Sequence, residues 1–227
     1  MPTSPGPEVA AVEPLRRQSL SEQVAGEIRH QIWTGRLRGG DRLAQEELAE
    51  SMGVSRIPVR EALIALTHEG AIRMATHRGA FVEPLTEAGI TDHYDLFGQV
   101  DGFALRKAIE RAGDGERRQL AADMISAAGV DTAPQMQALV ISTRRSFHQL
   151  GGSPRFHAVS RGLTGLVAGN FFDEVPGALD GARLRLPEVG DAVAAEAADL
   201  AVQRYETMMR EHGVLVLAVL DQRGVLD

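Results

Sequence analysis

The chain has 227 residues, enough for one large or two ordinary domains, and 44% of them are hydrophobic, which suffices for buried cores. Only 4% are aromatic, so the cores have to be built from small and aliphatic residues, and the alanine-rich stretches favour helices. The absence of cysteine excludes disulfides and thiolate metal sites and fits the reducing cytoplasm, where we expect the protein to act. The chain start lacks the pattern of a signal peptide, and no stretch approaches the ~18 apolar residues that span a bilayer, so we expect no membrane partner.

The formal net charge of -7 is unevenly distributed along the chain. Residues 1–85 hold 10 arginines and 11 acidic residues, whereas residues 86–227 hold 14 basic and 20 acidic residues. A nearly neutral first part with clustered arginines can still bind phosphate, because local potential sets that affinity rather than total charge. The charge therefore does not exclude a nucleic acid partner.

Proline and glycine residues mark the boundaries between three parts of the chain. Residues 1–18 are rich in proline and small residues and are predicted to be a mobile tail. Residues 19–84 form a compact motif, and residues 85–227 show helical periodicity almost throughout. We expect a mostly α fold: an N-terminal winged helix-turn-helix followed by an all-α antiparallel bundle of about six helices.

The first domain begins with a helix over residues 19–34, where apolar residues recur every fourth position. A second helix is predicted over 46–52 and, after a glycine turn, a third from Ser55 to Glu69. Two short strands, 71–74 and 80–83, then enclose a wing. Helix, tight turn and capped helix is the helix-turn-helix arrangement, whose second helix enters the major groove of DNA.

The candidate DNA contacts lie at the start of this third helix and on the wing. Arg56 and Arg60 are four residues apart and share a face, and a helix N-terminus attracts phosphate. Taken alone, such an arginine pair is more often solvated helix charge. The residues that we expect to contact double-stranded DNA are Ser55, Arg56, Arg60, His77, Arg78, Gly79 and Arg42.

Residues 35–82 (GRLRGGDRLAQEELAESMGVSRIPVREALIALTHEGAIRMATHRGAFV) closely resemble the DNA-binding domain of the GntR family of bacterial regulators. The resemblance implies that the arginine pair contacts DNA and makes Arg42 a candidate phosphate contact. Glu46 stands where some members carry a phosphate-contacting arginine, so we assign it no DNA role.

The second domain is predicted to contain helices over residues 86–112, 116–128, 134–150, 155–172, 187–199 and 200–220. Its segments YDLFGQVDGFALRKA (94–108), SFHQL (146–150) and DLAVQRYETMMREH (199–212) loosely resemble the FadR-like branch and its FCD ligand-binding domain. Many members of that branch bind a carboxylic acid through a divalent metal held by one aspartate and three histidines.

Carried over residue by residue, the metal set of that branch is incomplete in this sequence. His148 and His212 match two histidines, but the aspartate position is Arg144 and the middle histidine falls near Glu188 or Gly190. We therefore expect no metal and no other cofactor, and we expect Arg144, His148 and His212 to bind an acidic effector directly. The alternative for Arg144 is a side chain that points to solvent, and for each histidine a solvated or hydrogen-bonded structural role.

The resemblance implies a transcription repressor that binds a two-fold symmetric operator as a homodimer and responds to a small carboxylic acid. A dimeric DNA-binding protein whose bundle holds no ligand is the first alternative. A metal-dependent helical-bundle enzyme is a remote one, because the sequence has no HExxH and no nucleophile elbow. We expect that the chain is not an enzyme.

Overall fold

The computed structural model describes residues 19–76 and 78–227; the predicted tail, residues 1–18, and His77 lie outside these ranges. We call residues 19–84 the head and residues 85–227 the bundle. The head is a winged helix-turn-helix with the elements α1 (Leu20–Trp33), β1 (Arg42–Leu43), α2 (Gln45–Ser51), α3 (Arg56–His68), β2 (Ile72–Ala75) and β3 (Gly79–Val82).

Local signals in the sequence account for the helices of the head. Ser19 and Glu22 form a capping box that fixes the start of α1. The turn between α2 and α3 needs a left-handed residue, which Gly53 supplies with φ +64°. Val59 and Leu63 of α3 are fully buried in the head core, so the opposite face of the helix is left to solvent.

The wing is a three-stranded antiparallel sheet in the order β1-β3-β2. Ala75 pairs with Gly79 at its tip, and Arg42 pairs with Phe81 on the other side of β3. The sequence did not predict β1, because two residues carry no alternating pattern of their own. This strand brings Arg42 into the wing sheet.

The bundle contains seven further α-helices within the described residues: α4 (Glu87–Arg111), α5 (Asp114–Ile125), α6 (Ala133–Gly151), α7 (Pro154–Ser160), α8 (Phe171–Glu174), α9 (Ala178–Ala194) and α10 (Ala198–Gln222). Short 3₁₀ turns follow α5 and α7. Within the described ranges, every helix is too short or too polar to cross a membrane.

Two helix predictions in the bundle were wrong. The helix expected over 155–172 ends at Ser160, and the chain then passes through Gly165 and Gly169, whose positive φ angles an α-helix cannot contain. The helix expected to begin at Pro187 begins at Ala178 and runs through the proline. Proline normally ends helices, but burial of the surrounding aliphatic face of α9 outweighs its missing hydrogen bond.

Small residues allow the long helices to approach closely. A Cβ at Gly98 of α4 would lie 3.2 Å from the Cα of Glu206 on α10, and one at Gly102 would lie 3.0 Å from Val202. Gly98 lies opposite Glu206 and Gly102 lies opposite Val202, so residue numbers increase along α4 as they decrease along α10, and the two helices run antiparallel. At Gly151, where α6 crosses α4, a Cβ would lie 1.9 Å from a backbone oxygen, so only glycine fits.

The head is held on the bundle by contacts around Trp33 at the end of α1. Its indole Nε1 donates to Glu174 Oε2 at 2.9 Å, and the guanidinium of Arg223 lies over its ring at 4.6 Å. Arg223 also donates to the backbone oxygen of Trp33 and to Glu174. Trp33 belongs to the bundle core, so α1 joins the two domains.

Candidate functional site

The exposed face of α3 carries the predicted DNA contacts. Arg56 and Arg60 are exposed, while Val59 between them is fully buried. Ser55 occupies the N-cap position, but its hydroxyl makes no capping bond to the helix. Ser55 is exposed, and the first backbone N–H groups of α3 have no acceptor within the helix, so both the hydroxyl and these groups can bind an anion such as phosphate.

Glu46 of α2 forms an ion pair with Arg56 across the helix-turn-helix. Both side chains remain about two-thirds exposed, at 71% and 67%. An exposed pair of this kind contributes little to stability, so a phosphate or a base edge can displace Glu46. Arg60 has no ion-pair partner among the described residues and is directly accessible.

The wing supplies the remaining predicted contacts. Arg78 is exposed beside the tip, and Gly79 opens β3 with φ +99°, a conformation that suits glycine. A Cβ at Gly79 would lie 3.7 Å from Arg42 Nε, so the Arg42 side chain passes close to this end of the wing. The structure thus brings Arg42 next to Gly79, and His77 lies outside the described residues.

The bundle contains a partly open cavity of about 1170 Å³ that reaches as far as the head. Drug-sized ligands occupy cavities of roughly 300–1,000 Å³, so the space is ample for a small effector. Its apolar wall is built mainly from Phe97, Val140, Phe171, Leu186, Met208 and Met209. Arg144, His148 and His212, the three predicted effector contacts, all line it.

Arg144 and His148, which line this cavity, both bind Asp101, a carboxylate with no exposure to solvent. Arg144 donates from Nε to Oδ2 at 2.6 Å and from Nη2 to Oδ1 at 3.1 Å. His148 Nε2 lies 2.9 Å from Oδ1, and the Tyr205 hydroxyl donates to Oδ2 at 2.9 Å. The guanidinium of Arg144 also lies over the Phe97 ring at 4.9 Å.

The electrostatics of this network keep Asp101 ionised. Burial by itself would raise the pKa of Asp101, but hydrogen bonds from His148 and Arg144 and the charge of Arg144 outweigh it and lower the pKa below its usual range. Burial, followed by the charge of Asp101, raises the pKa of Tyr205 well above its usual value, so Tyr205 stays a neutral donor.

These side chains do not fit the divalent metal implied by the resemblance to the FadR-like branch. Both oxygens of Asp101 are already bound by Arg144, His148 and Tyr205, and a guanidinium next to the site repels a cation. Nowhere in residues 19–76 and 78–227 do three histidine or carboxylate side chains come together as a metal ion requires.

Two buried polar atoms elsewhere in the cavity lining lack partners among the described residues: His212 Nε2 and Gln137 Oε1. His212 is packed against Phe171, with ring centroids 4.8 Å apart. Burial lowers the pKa of His212 to about 4, so the imidazole is neutral at physiological pH. An unsatisfied buried group costs free energy, which a ligand with a complementary group would recover.

The cavity reaches the head at an ion pair between α1 and the end of α3. Arg29 Nε and Nη2 donate to the two oxygens of Glu69 at 2.8 and 2.7 Å. Both residues line the cavity. The Arg29 side chain lies against Gly165 of the bundle, where a Cβ would come within 3.1 Å of Nε.

Sequence reasoning missed Asp101, Tyr205 and the Arg29–Glu69 pair. A signal for Asp101 was present, because it lies in the apolar stripe of α4, seven residues after Tyr94 and four before Leu105. An acidic residue on a buried stripe requires a partner, and Arg144 is the cation that pairs with it in the structure. The Arg29–Glu69 pair joins residues forty apart in the chain and has no local pattern.

The head matches a known family over nearly its whole length. Residues 20–82 match the model of "Bacterial regulatory proteins, gntR family". This match agrees with the resemblance to the GntR family that residues 35–82 carry.

Similar proteins carry related names. An uncharacterized HTH-type transcriptional regulator of Mycobacterium tuberculosis is 35% identical over 146 residues, which are 64% of this chain and 60% of that protein. A gluconate operon transcriptional repressor of Bacillus licheniformis is 36% identical over 110 residues, 48% of this chain and 43% of that protein. The chain thus spans 60% or less of the length of these relatives. Both names describe transcriptional regulators.

The solved structure of E. coli McbR/YncC covers 92% of this chain and 100% of its own, with a TM-score of 0.58 and 19% identity. This likeness extends across both domains and supports the predicted fold: a winged helix-turn-helix followed by a helical bundle.

Replacing His212 should reduce the loss of stability on mild acidification. Its pKa falls from 6.5 in the unfolded chain to about 4 in the folded one, so the stabilising contribution is present above pH 6.5 and is lost as the pH falls towards 4. Between pH 7 and pH 5 this amounts to about 2 kcal/mol. In urea unfolding at the two pH values, His212→Gln should show a pH-dependent loss smaller by that amount.

The matched control is His68→Gln, since His68 is exposed at the end of α3. Asp101 does not confuse the comparison, because its lowered pKa places its contribution below the chosen pH range. An equal loss in His212→Gln and the native protein would show that His212 is not buried as a neutral group.

Proposed function

We propose that this chain, whose head matches the gntR-family model, is a transcription repressor that binds an operator as a homodimer and is released by a small acidic effector. The observation that carries the proposal is the match of residues 20–82 together with the exposed arginines of α3. The bundle is proposed to be the effector-binding and dimerisation domain of the FadR-like, FCD type. We place its action in the cytoplasm, which fits a chain without cysteine.

Operator binding is proposed to use the N-terminal turn of α3 in the major groove. Arg60 can form bidentate hydrogen bonds with a guanine, and Ser55 can donate to a phosphate. Arg56 exchanges Glu46 for DNA, which costs little because the pair is exposed. Arg42 and Arg78 on the wing add phosphate contacts that fix the orientation of the head.

Replacing Arg60 with alanine should weaken operator binding by about 1–3 kcal/mol with little effect on thermal stability, because the side chain is exposed and unpaired. The operator is obtained by selection of random DNA with the purified protein, and affinity is measured by fluorescence anisotropy at fixed salt. Arg118→Ala is the matched control, since Arg118 is an exposed arginine of α5 in the bundle. Equal affinities of the Arg60 and Arg118 variants would remove Arg60 from the DNA interface.

Dimerisation is proposed to use the outer face of α4. Leu96 and Phe103 lie seven residues apart on this face and are 49% and 54% exposed. Phe103 stacks on Phe156 of α7, which extends the apolar surface. A second copy of the chain is the occupant that fits, because a two-fold operator requires two heads at a fixed spacing.

The full chain should therefore be a dimer by light scattering at micromolar concentration, and Phe103→Glu should convert it to a monomer by burying an unpaired charge at the interface. Val214→Glu serves as the control, because Val214 is 66% exposed on α10. A native monomer, or a Phe103→Glu dimer, would contradict this use of α4.

An acidic effector is supported by the charges that line the cavity. Four arginines line it, Arg29, Arg144, Arg145 and Arg161, against the carboxylates of Glu69 and the buried Asp101. Arg145 and Arg161 have no acidic partner in the described part of the chain. Two uncompensated cations beside a large apolar cavity suit a small organic acid. The carboxylate is proposed to bind these free arginines, because Asp101 already occupies the fork of Arg144.

Transmission to DNA is proposed to run through the Arg29–Glu69 pair. A carboxylate that reaches Arg29 competes with Glu69, which directly follows the last residue of α3. Release of Glu69 frees the end of α3 and shifts the head on the bundle. By linkage, the effector can weaken operator binding only by its preference for this shifted state, typically about 1–3 kcal/mol.

Small carboxylates should raise the melting temperature of the full chain, because a ligand that binds the native state stabilises it. The probes are succinate, malate, citrate and gluconate, with sorbitol as the uncharged control. Arg161→Ala should reduce the shift, and Arg118→Ala should not. Arg29→Gln should keep the melting shift, but its operator affinity should already be low without acid and should not fall further at saturating acid, because Glu69 has lost its partner in this variant.

Two results would count against this scheme. If none of the acids raises the melting temperature more than sorbitol does, the alternative of a ligand-free structural bundle is favoured. If Arg29→Gln still releases the operator at saturating acid, the signal does not pass through the pair with Glu69.

A further inference from the structure

Ile57 is the most exposed of the large hydrophobic side chains in the described chain, at 69% of its surface. It lies in the first turn of α3, directly after Arg56 and three residues before Arg60. Leaving a large aliphatic side chain in water forgoes the free energy that its burial would supply. The head core does not use this side chain, although the neighbouring Pro58 and Val59 are buried.

The side chain of Ile57 is also held in a restricted geometry. As a β-branched residue it has few χ1 rotamers, and α3 fixes its backbone because the next two residues are anchored in the core. Its methyl groups therefore point outward from the same face as Arg60, since positions three apart on a helix are neighbours. A restricted apolar group between two arginines suits the reading of an apolar feature of DNA.

We propose that Ile57 reads the methyl group of one thymine in each half-site of the operator. In the major groove, thymine is the base that presents a C5 methyl group, whereas cytosine presents an amino donor and no methyl. The contact favours thymine over cytosine at that position, because only thymine has a methyl group to bury against Ile57. This inference rests on the proposed function, in which α3 enters the major groove.

A second exposed isoleucine on α3 provides a matched control. Ile64 is 46% exposed and lies seven residues further along the same face, about 10.5 Å along the helix axis. Base contacts of a helix-turn-helix come from the N-terminal residues of its second helix, so Ile64 lies beyond the bases that Ile57 contacts. Ile64→Ala removes the same atoms as Ile57→Ala from the same helix face.

The test replaces each thymine of the selected operator in turn with deoxyuridine, which removes one methyl group and leaves base pairing intact. Burial of one methyl group is worth about fourfold in affinity, so the native protein should bind about fourfold more weakly at one thymine in each half-site. Ile57→Ala should bind the thymine and uracil operators equally, and Ile64→Ala should keep the fourfold difference. Affinities are measured by fluorescence anisotropy at one salt concentration, with melting curves to confirm that both variants fold.

The outcomes separate this inference from the proposed function. If the protein selects no DNA, the proposed function fails. If it binds an operator but tolerates every uracil, or if Ile57→Ala keeps the fourfold loss, the methyl contact is overturned while operator binding stands. If Ile64→Ala, and not Ile57→Ala, loses the fourfold difference between the thymine and uracil operators, the methyl contact is made by Ile64 and the inference is also overturned.

Discussion

A carboxylate with no access to solvent connects three helices of the bundle. Asp101 of α4 binds Arg144 and His148 of α6 and Tyr205 of α10, and these bonds satisfy both of its oxygens. A buried charge is costly to desolvate, and its pairing roughly repays that cost rather than adding stability. Its effect is specificity: the three helices have one relative register in which all of these groups are satisfied, and that register shapes the base of the cavity.

The same network determines which arginines of the cavity are available to a ligand. The sequence does not distinguish an arginine with a free guanidinium from one whose guanidinium is bound by a buried carboxylate, as that of Arg144 is by Asp101. The guanidinium of Arg144 packs over the ring of Phe97 and balances the negative charge of Asp101. Arg145 and Arg161 also line the cavity and have no acidic partner among the described residues, whereas the sequence analysis had assigned the contact with an acidic effector to Arg144.

Local patterns predicted the parts of the fold that local forces determine. The capped α1 and the glycine turn before α3 could be read directly, because each depends on residues within one or two turns of helix. The errors had two causes. Packing outweighs propensity where α9 runs through Pro187. The helix expected over 155–172 was extended along the apolar pattern past glycines whose positive φ angles end it after Ser160. Asp101 escaped because its partners lie 43 to 104 residues away, at distances that no sequence window covers.

In the sites of both domains, an arginine is paired with an acidic side chain of the chain itself, so an anionic ligand has to compete with that side chain for the arginine. Arg56 is held by Glu46, Arg29 by Glu69 and Arg144 by Asp101, so each of these cations has an internal acidic partner before any ligand arrives. The three pairs differ in burial, from the exposed Arg56 pair through the part-buried Arg29 pair to the fully buried Asp101, and the cost of exchanging the partner rises in that order. An anion that reaches these pairs would therefore displace Glu46 most readily and Glu69 at a higher cost, whereas Asp101 stays in place. In the proposed operator complex, Arg56 exchanges Glu46 for a phosphate, and Arg60, which has no ion-pair partner among the described residues, meets DNA directly. Local charge of this kind lets a chain with a net charge of -7 approach a polyanion.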